Sequence, residues 1–440
     1  MKDIVHGYLP DERPPLGRLV VFAFQQILVM FPATVLVALL TGFHVSTTIF
    51  ASGFATLCFI FITKGKIPLY YGSSFSYIAA IVGITGAKFG VVAPDALISA
   101  AQFGVIMSGL VSIVAGLIVS RFGLDKIEKV LPPSVTGSIA IVIGISLAAT
   151  AITNAASNGG GEILGINWIA ALITLFATIL FSVYLKGVWS QLPILLGILV
   201  GYAASFALGM VDLSTLFSGS LIVPPHFTFP DFTAWPAVIA IMPIAIATIP
   251  ESTAHLFQLD IYVNDLAKKK GKPEVKIAEK LGLNLIGDGV GDMVSSLIGG
   301  PAGTNYGENL STMAITKNFS VWVLGAAAII TMFISFFSPL TNLVLSIPSS
   351  VINGACIYLF GIIGAQGVAI MIERKVDMFS SKNLAVIAVI LIVGLGGTYG
   401  FPGGMIPFFG TNLPAIATAS IMGIVINLAL SFKKAEEVVE

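Results

Sequence analysis

The chain has 440 residues, of which 56% are hydrophobic and 10% charged, and its 22 basic and 22 acidic side chains cancel. A soluble domain carries roughly 25% charged residues, so this chain lacks the charge to cover a water-facing surface and reads as an integral membrane protein. Zero net charge argues against a nucleic-acid partner. Cys58 and Cys356 sit in apolar runs and read as buried small side chains, with neither a disulfide nor a metal role.

The opening residues "MKDIVHGYLPDERPPLGR" are polar and contain no apolar signal core, so 1–16 reads as a cytoplasmic tail. Crossings are predicted near 17–41, 46–63, 68–87, 96–120, 134–156, 164–185, 190–211, 233–259, 278–299, 303–317, 320–338, 344–370, 382–400 and 411–432, with a second tail over 433–440. The fold class is an all-α polytopic membrane protein of fourteen segments. The third and tenth are short and broken by Gly, Ser, Thr or Asn. With the N-terminus inside, every Lys and Arg except Lys88 falls on the cytoplasmic side, as the positive-inside rule requires. Both termini are then cytoplasmic.

The charged stretch 258–277 divides the chain into two halves of seven crossings, so the second half enters the membrane from the opposite side. A sequence echo supports an inverted repeat. "YGSSFS" at Tyr71–Ser76 and "YGENLS" at Tyr306–Ser311 share the frame Tyr-Gly-x-x-apolar-Ser, and each lies in a broken segment. Polar backbone at membrane depth is tolerated only where protein buries it or a cavity hydrates it. Each broken segment is expected to enter as extended chain and continue as a short helix, the two helix N-termini facing one another with free N–H groups. In this alignment Ser73 stands opposite Glu308.

Ionisable residues within spans are few and costly. Glu251 and His255 lie four apart on one helix face, an arrangement able to hold a proton, and Pro250 is expected to bend their helix. Asp288 and Asp292 repeat the spacing. Asp288 is preferred as the group that accepts backbone N–H bonds from the broken tenth segment, with Asp292 either sharing that role or hydrated in a vestibule. Glu308 stands at a helix start, where the dipole favours an anion. Phe75 and Tyr306 offer aromatic faces for stacking a planar ligand, and Ser74 and Asn309 lie beside them in supporting positions.

At these residues the chain resembles the second nucleobase–cation symporter family, the nucleobase–ascorbate transporters, and within it the bacterial uracil carriers. The resemblance runs from "ERPPLGRLVVFAFQQILVMFPATVLV" to the last crossing and includes "KGKIPLYYGSSFSYIA", "TNYGENLSTMAITKNFSVWVLGAAA" and "VINGACIYLFGIIGAQGV". It implies a core domain (17–130 and 233–338) and a gate domain (131–232 and 339–432). It further implies proton-coupled uracil uptake across the cytoplasmic membrane by alternating access, in a homodimer, with no cofactor beyond the coupling proton. The implied substrate contacts are Phe75, Glu251, Gly307 and Glu308, with coupling through Glu251 and His255.

The chain departs from the family pattern in three places. Ser311 replaces a signature Gly, Gln25–Gln26 replaces a common Gln-His, and Phe360 stands where uracil carriers often have Tyr. "DGV" at Asp288 matches the xanthine and urate branch, which keeps a purine substrate as the alternative. An anion exchanger of similar fold is disfavoured because two carboxylates would repel its ligand. "GVGD" at Gly289–Asp292 matches the GxGD signature of intramembrane aspartyl proteases. That chemistry needs a second aspartate after Tyr, which no span supplies, so the protein is not expected to be an enzyme.

Overall fold

A computed structural model describes residues 7–123, 129–157, 163–214, 216, 217, 219–408 and 411–433. The outer parts of both expected tails, 1–6 and 434–440, lie outside the described residues, as do Lys2, Lys126 and Lys434.

The chain is predominantly helical. Helices α1 (Leu16–Thr41) and α2 (Val45–Ile62) are followed by strand β1 (Tyr71–Ser73), a 3-10 turn at Phe75–Tyr77, and α3 (Ile78–Thr85). Next come α4 (Asp95–Phe122), α5 (Pro133–Ser146), α6 (Ala148–Ala156), α7 (Gly165–Tyr184) and α8 (Pro193–Ala207). The second half holds α9 (Trp235–Ile241), α10 (Ala245–Lys269), α11 (Leu281–Leu297), β2 (Gly303–Asn305), α12 (Gly307–Thr316) and α13 (Val321–Ile334). It closes with α14 (Ser338–Leu345), α15 (Ser349–Glu373), α16 (Ser381–Gly400), the hairpin β3 (Met405–Phe408) and β4 (Thr411–Pro414), and α17 (Ala415–Lys433).

Among the described residues, eight helical stretches are long and apolar enough to cross a bilayer. The other six expected crossings hold the shorter helices α3, α8, α11, α12, α13 and α17. Apolar side chains surround most of the long helices rather than forming one stripe, as burial between protein and lipid requires.

Close helix packing depends on glycine at a few crossings. A β-carbon at Gly289 of α11 would lie 2.3 Å from the Gly109 carbonyl of α4, and one at Gly144 of α5 would lie 2.4 Å from the Gly364 nitrogen of α15. Small residues let helix backbones approach in a setting where water drives no association.

Pro250, expected to bend its helix, lies within α10. A 3-10 turn at Met242–Ile244, with Pro243 in its first positions, separates α9 from α10, and α10 runs on through Pro250. Pro243 suits the first turn of a helix, where its missing N–H costs nothing.

Residues 7–13 pack back on one end of the bundle. Tyr8 donates to the Lys317 carbonyl at 2.8 Å, Phe319 donates to the Tyr8 carbonyl at 2.8 Å, and Glu12 pairs with Lys270 at 2.5 Å and Lys272 at 2.6 Å. At the opposite end, the segment 221–233 lies across the helix ends. Val223 donates to the Phe336 carbonyl at 2.9 Å, and Asp231 donates to the Ser99 carbonyl at 3.0 Å. Cys58 and Cys356 are free thiols, the second fully buried.

Candidate functional site

The site is built where the two broken segments meet. β1 and β2 pair antiparallel, with Tyr71 opposite Asn305, Gly72 opposite Thr304 and Ser73 opposite Gly303. The ladder is extended symmetrically: Ser74 donates to the Ala302 carbonyl at 3.0 Å, and Tyr306 donates to the Tyr70 carbonyl at 2.9 Å. Pairing satisfies extended backbone that would otherwise be stranded at membrane depth. Each strand then feeds a helical turn, the first starting at Phe75 and the second at Gly307.

This pairing corrects the register read from the repeated phrase. The symmetric bonds make Ser74 the counterpart of Tyr306, Phe75 the counterpart of Gly307, and Ser76 the counterpart of Glu308. The phrase had placed Ser73 opposite Glu308, three residues too early. Its two copies occupy different places: in the first Tyr71 opens the strand, while in the second Tyr306 follows it. Ser73 is buried, whereas Ser76 and Glu308 are both half-buried.

The tyrosines lock the pair from opposite sides. The Tyr71 hydroxyl donates to Asp292 at 2.5 Å, and Asp292 also accepts the Gly303 N–H at 2.8 Å. The Tyr306 hydroxyl donates to the Ser73 carbonyl at 2.9 Å and lies 3.0 Å from the Thr34 hydroxyl of α1. Its ring covers Gly72, where a β-carbon would lie 2.3 Å from Cε2. Tyr306 is 4% exposed. This overturns the expectation that it stacks on a ligand, because its ring is spent holding the first segment. The aromatic left at the site is Phe75, half-buried at the helix start.

Of the two aspartates, it is Asp292 and not the preferred Asp288 that accepts the backbone N–H, as one of the two readings of Asp292 expected. Asp292 holds the backbone of the tenth segment. Asp288 instead accepts from the Ser252 hydroxyl and, at 3.2 Å, from the Asn305 side-chain amide. Asn305 Nδ2 further reaches Asn284 Oδ1 at 3.2 Å and Ser252 Oγ at 3.3 Å, and Asn284 donates to Ser252 at 2.7 Å. Asn284, Asp288 and Asp292 stand at successive spacings of four and form one polar stripe on α11. The sequence reading took only the two acids. The same spacing, extended one step back, points to Asn284.

Glu251 on α10, Glu308 on α12 and His255 are half-buried. His255 packs on Gly307, and its Nδ1 is buried without a hydrogen-bond partner. Asn309 donates to the Gln26 side chain at 2.7 Å and to the Gln26 carbonyl at 3.0 Å, which fixes α12 to α1. Ser74 accepts from the Ser76 N–H at 3.3 Å and caps the first turn. Among the described residues ten buried side-chain polar atoms lack a partner, and six of them belong to His255, Asp288, Thr304, Asn305, Asn309 and Thr312. Unpaired buried polar atoms are rare in stable packing and mark places with another task.

Chemically, the two helix starts that follow the paired strands offer N–H donors, and Glu251 and Glu308 offer acceptors. A cavity of about 500 Å³ lies between α3 and a wall that includes Leu147, Phe360 and Tyr399. Phe360 is buried in that wall.

Comparison with known proteins gives consistent results. Residues 17–403 match the permease family of xanthine and uracil carriers. The chain is 37% identical over 426 residues to the uracil permease of Bacillus caldolyticus, covering 96% of this chain and 94% of the relative. It is 34% identical over 435 residues to the uracil permease of Escherichia coli strain K12, covering 98% and 96%. In structure it is similar to the transmembrane domain of the cyanobacterial bicarbonate transporter BicA, with TM-score 0.56, 13% identity, and 94% and 97% coverage. It is also similar to the murine anion transporter Slc26a9 in its inward-facing state, with TM-score 0.66, 12% identity, and 96% and 69% coverage.

Proposed function

The chain belongs to the nucleobase–ascorbate transporter family and is a multi-pass membrane permease, and from that premise we propose that it takes up uracil together with protons across the cytoplasmic membrane. The observation that carries this reading is the pairing of donors and acceptors at one place. Phe75 and Gly307 open the two short helices that follow the paired strands, Glu308 is the next residue, and Glu251 lies on the helix whose His255 packs on Gly307.

Uracil is planar and neutral and alternates N–H and C=O groups along its edge. Its carbonyls meet the N–H groups of Phe75 and Gly307, where the helix starts favour partial negative charge. Its N–H groups meet Glu308 and Glu251, and the Phe75 ring covers one face. A buried carboxylate without a partner is costly. Uptake of a proton by the Glu251–His255 pair removes that cost and allows the loaded site to close.

The segments form fourteen crossings as a seven-plus-seven inverted repeat, with both termini cytoplasmic. The core domain (17–130 and 233–338) carries the site and rocks against the gate domain (131–232 and 339–432), in a homodimer. The 500 Å³ cavity, lined from both domains, supports an entrance on the side where α3 ends. The likeness to bicarbonate and anion transporters concerns the fold alone. Two carboxylates beside the helix starts disfavour an anionic ligand.

Reconstituted protein under an inward proton gradient tests the reading. It predicts gradient-driven accumulation of labelled uracil that excess xanthine does not block. Block by xanthine, or transport of xanthine without uracil, would move the substrate to the purines.

A further inference from the structure

At the end of the bundle opposite residues 7–13, three side chains from distant parts of the sequence converge. His44 lies in the turn between α1 and α2, Asp95 is the first residue of α4, and His226 lies in the 221–233 segment. His44 Nε2 is 3.4 Å from Asp95 Oδ1, and His226 Nε2 is 2.9 Å from Asp95 Oδ2. The two imidazole centroids are 4.4 Å apart, and one ligand atom from each residue lies within 4.8 Å of the others. The chain has four histidines, so half of them meet at this point.

From this geometry we propose that His44, Asp95 and His226 form a binding site for a divalent transition metal of the zinc class. Tetrahedral zinc holds nitrogen and oxygen ligands at about 2.0–2.2 Å, which sets neighbouring ligand atoms about 3.3 Å apart. The two His–Asp separations, one to each carboxylate oxygen of Asp95, lie on either side of that value. Two neutral imidazoles and one carboxylate suit this class of ion, and water fills the fourth position.

The backbone around the cluster is already held in place. Thr47 of α2 donates to the His226 carbonyl at 2.6 Å. Two residues on, Thr228 donates to Gln102 Oε1 of α4 at 2.9 Å, and Gln102 donates to the Thr228 carbonyl at 3.0 Å. Little reorganisation is therefore needed to bring three ligands onto one ion. A bound metal joins the α1–α2 turn, the start of α4 and the segment leading into α9. None of these residues belongs to the substrate site, so the inference stands independently of the uracil reading.

The experiment uses purified full-length protein in detergent, with no polyhistidine tag. Zinc is titrated against a chromogenic chelator, and cobalt(II) is added separately as a spectroscopic probe. The expected results are one zinc per chain, affinity at least tenfold weaker in each of His44→Gln, Asp95→Asn and His226→Gln, and unchanged affinity in His6→Gln. Cobalt should give the visible absorption of a four-coordinate nitrogen and oxygen site in the unmodified protein. That measurement needs no variant and is immune to misfolding. Absence of saturable zinc binding, zinc affinity unchanged in His226→Gln, or a six-coordinate cobalt spectrum would each overturn the site.

Discussion

The His255 imidazole stands against the α-carbon of Gly307: a β-carbon added there would lie 2.8 Å from Nε2. The histidine proposed to couple protons and the helix start proposed to bind substrate are thus in direct contact, and only glycine permits it. Gly307→Ala must push the ring away or shift the first turn of α12. Uracil affinity should fall at least tenfold. In His255→Ala the same substitution should cost far less, because the atom it strikes is gone. Binding measured by calorimetry across the four proteins of this cycle tests the contact, and equal losses in both backgrounds would show that the ring plays no part.

Glu308 and Glu251 are proposed to share the substrate but differ in what they do afterwards. Hydrogen bonds to charged groups contribute about 1.5–3 kcal/mol, so Glu308→Gln should weaken uracil binding about 10- to 100-fold. Glu251→Gln should retain exchange of labelled for unlabelled uracil across the membrane yet no longer accumulate it under a proton gradient. Full gradient-driven accumulation by Glu251→Gln would remove that residue from the coupling step.

The corrected register makes its own prediction. Ser76, the structural counterpart of Glu308, is half-buried at the site, and Ser73 is buried beneath Tyr306. In a background lacking Cys58 and Cys356, Ser76→Cys should react with a small polar thiol reagent and be protected by uracil. Ser73→Cys should be inert. The reverse pattern would restore the register suggested by the repeated phrase.

Tyr71→Phe leaves Asp292 buried with the Gly303 N–H but without its hydroxyl donor. The loss should be about 1–3 kcal/mol of stability, read as a lower melting temperature in detergent. Because Asp292 secures β2, and β2 places Gly307, uracil affinity should fall as well. A stability loss with unchanged affinity would separate the lock from the site.

Glu12 ties residues 7–13 to the α10 end. Burial opposes its ionisation, but Lys270, Lys272 and the Leu9 N–H outweigh burial and hold its pKa at about 2, below the ordinary 4.5. A depressed carboxylate contributes stability that is present above its unfolded pKa and is lost as pH falls toward its folded one. The melting difference between the unmodified protein and Glu12→Gln should be present at pH 7, shrink below about pH 4.5 and vanish near pH 2, at a size of at most about 1 kcal/mol. A difference that stays constant across that range would mean the ion pairs contribute nothing.

Composition and hydropathy were enough to read the membrane class, the long helices and the two broken segments, because burial in lipid imposes length and apolarity residue by residue. Glu251, Glu308, His255 and Phe75 stand out as candidates in the sequence because ionisable or interrupted sequence is conspicuous in an apolar chain. Relations that depend on pairing were not. The echo of Tyr71 and Tyr306 is a likeness of letters, and only the ladder shows that one opens a strand while the other follows one. Asp288 and Asp292 share a helix face, and which of them reaches the Gly303 N–H depends on where α11 sits along its axis. Tyr306 reads as an exposed ring until Gly72 is seen beneath it. His44, Asp95 and His226 have no common spacing and meet only through the fold.

The β1–β2 ladder joins residues made at very different moments of synthesis. When Tyr71–Ser73 emerges from the ribosome, its hydrogen-bond partners at Gly303–Asn305 are still untranslated. Until then the first broken segment has no mate for its extended backbone, and a lone extended stretch has no stable place in a bilayer. The site therefore cannot be completed half by half: the ladder closes only once more than two thirds of the chain exists. Such non-local closure is slow and leaves a vulnerable intermediate. The first half expressed alone should be prone to degradation, and its rescue by separately supplied second half would mark the ladder as the step that completes assembly.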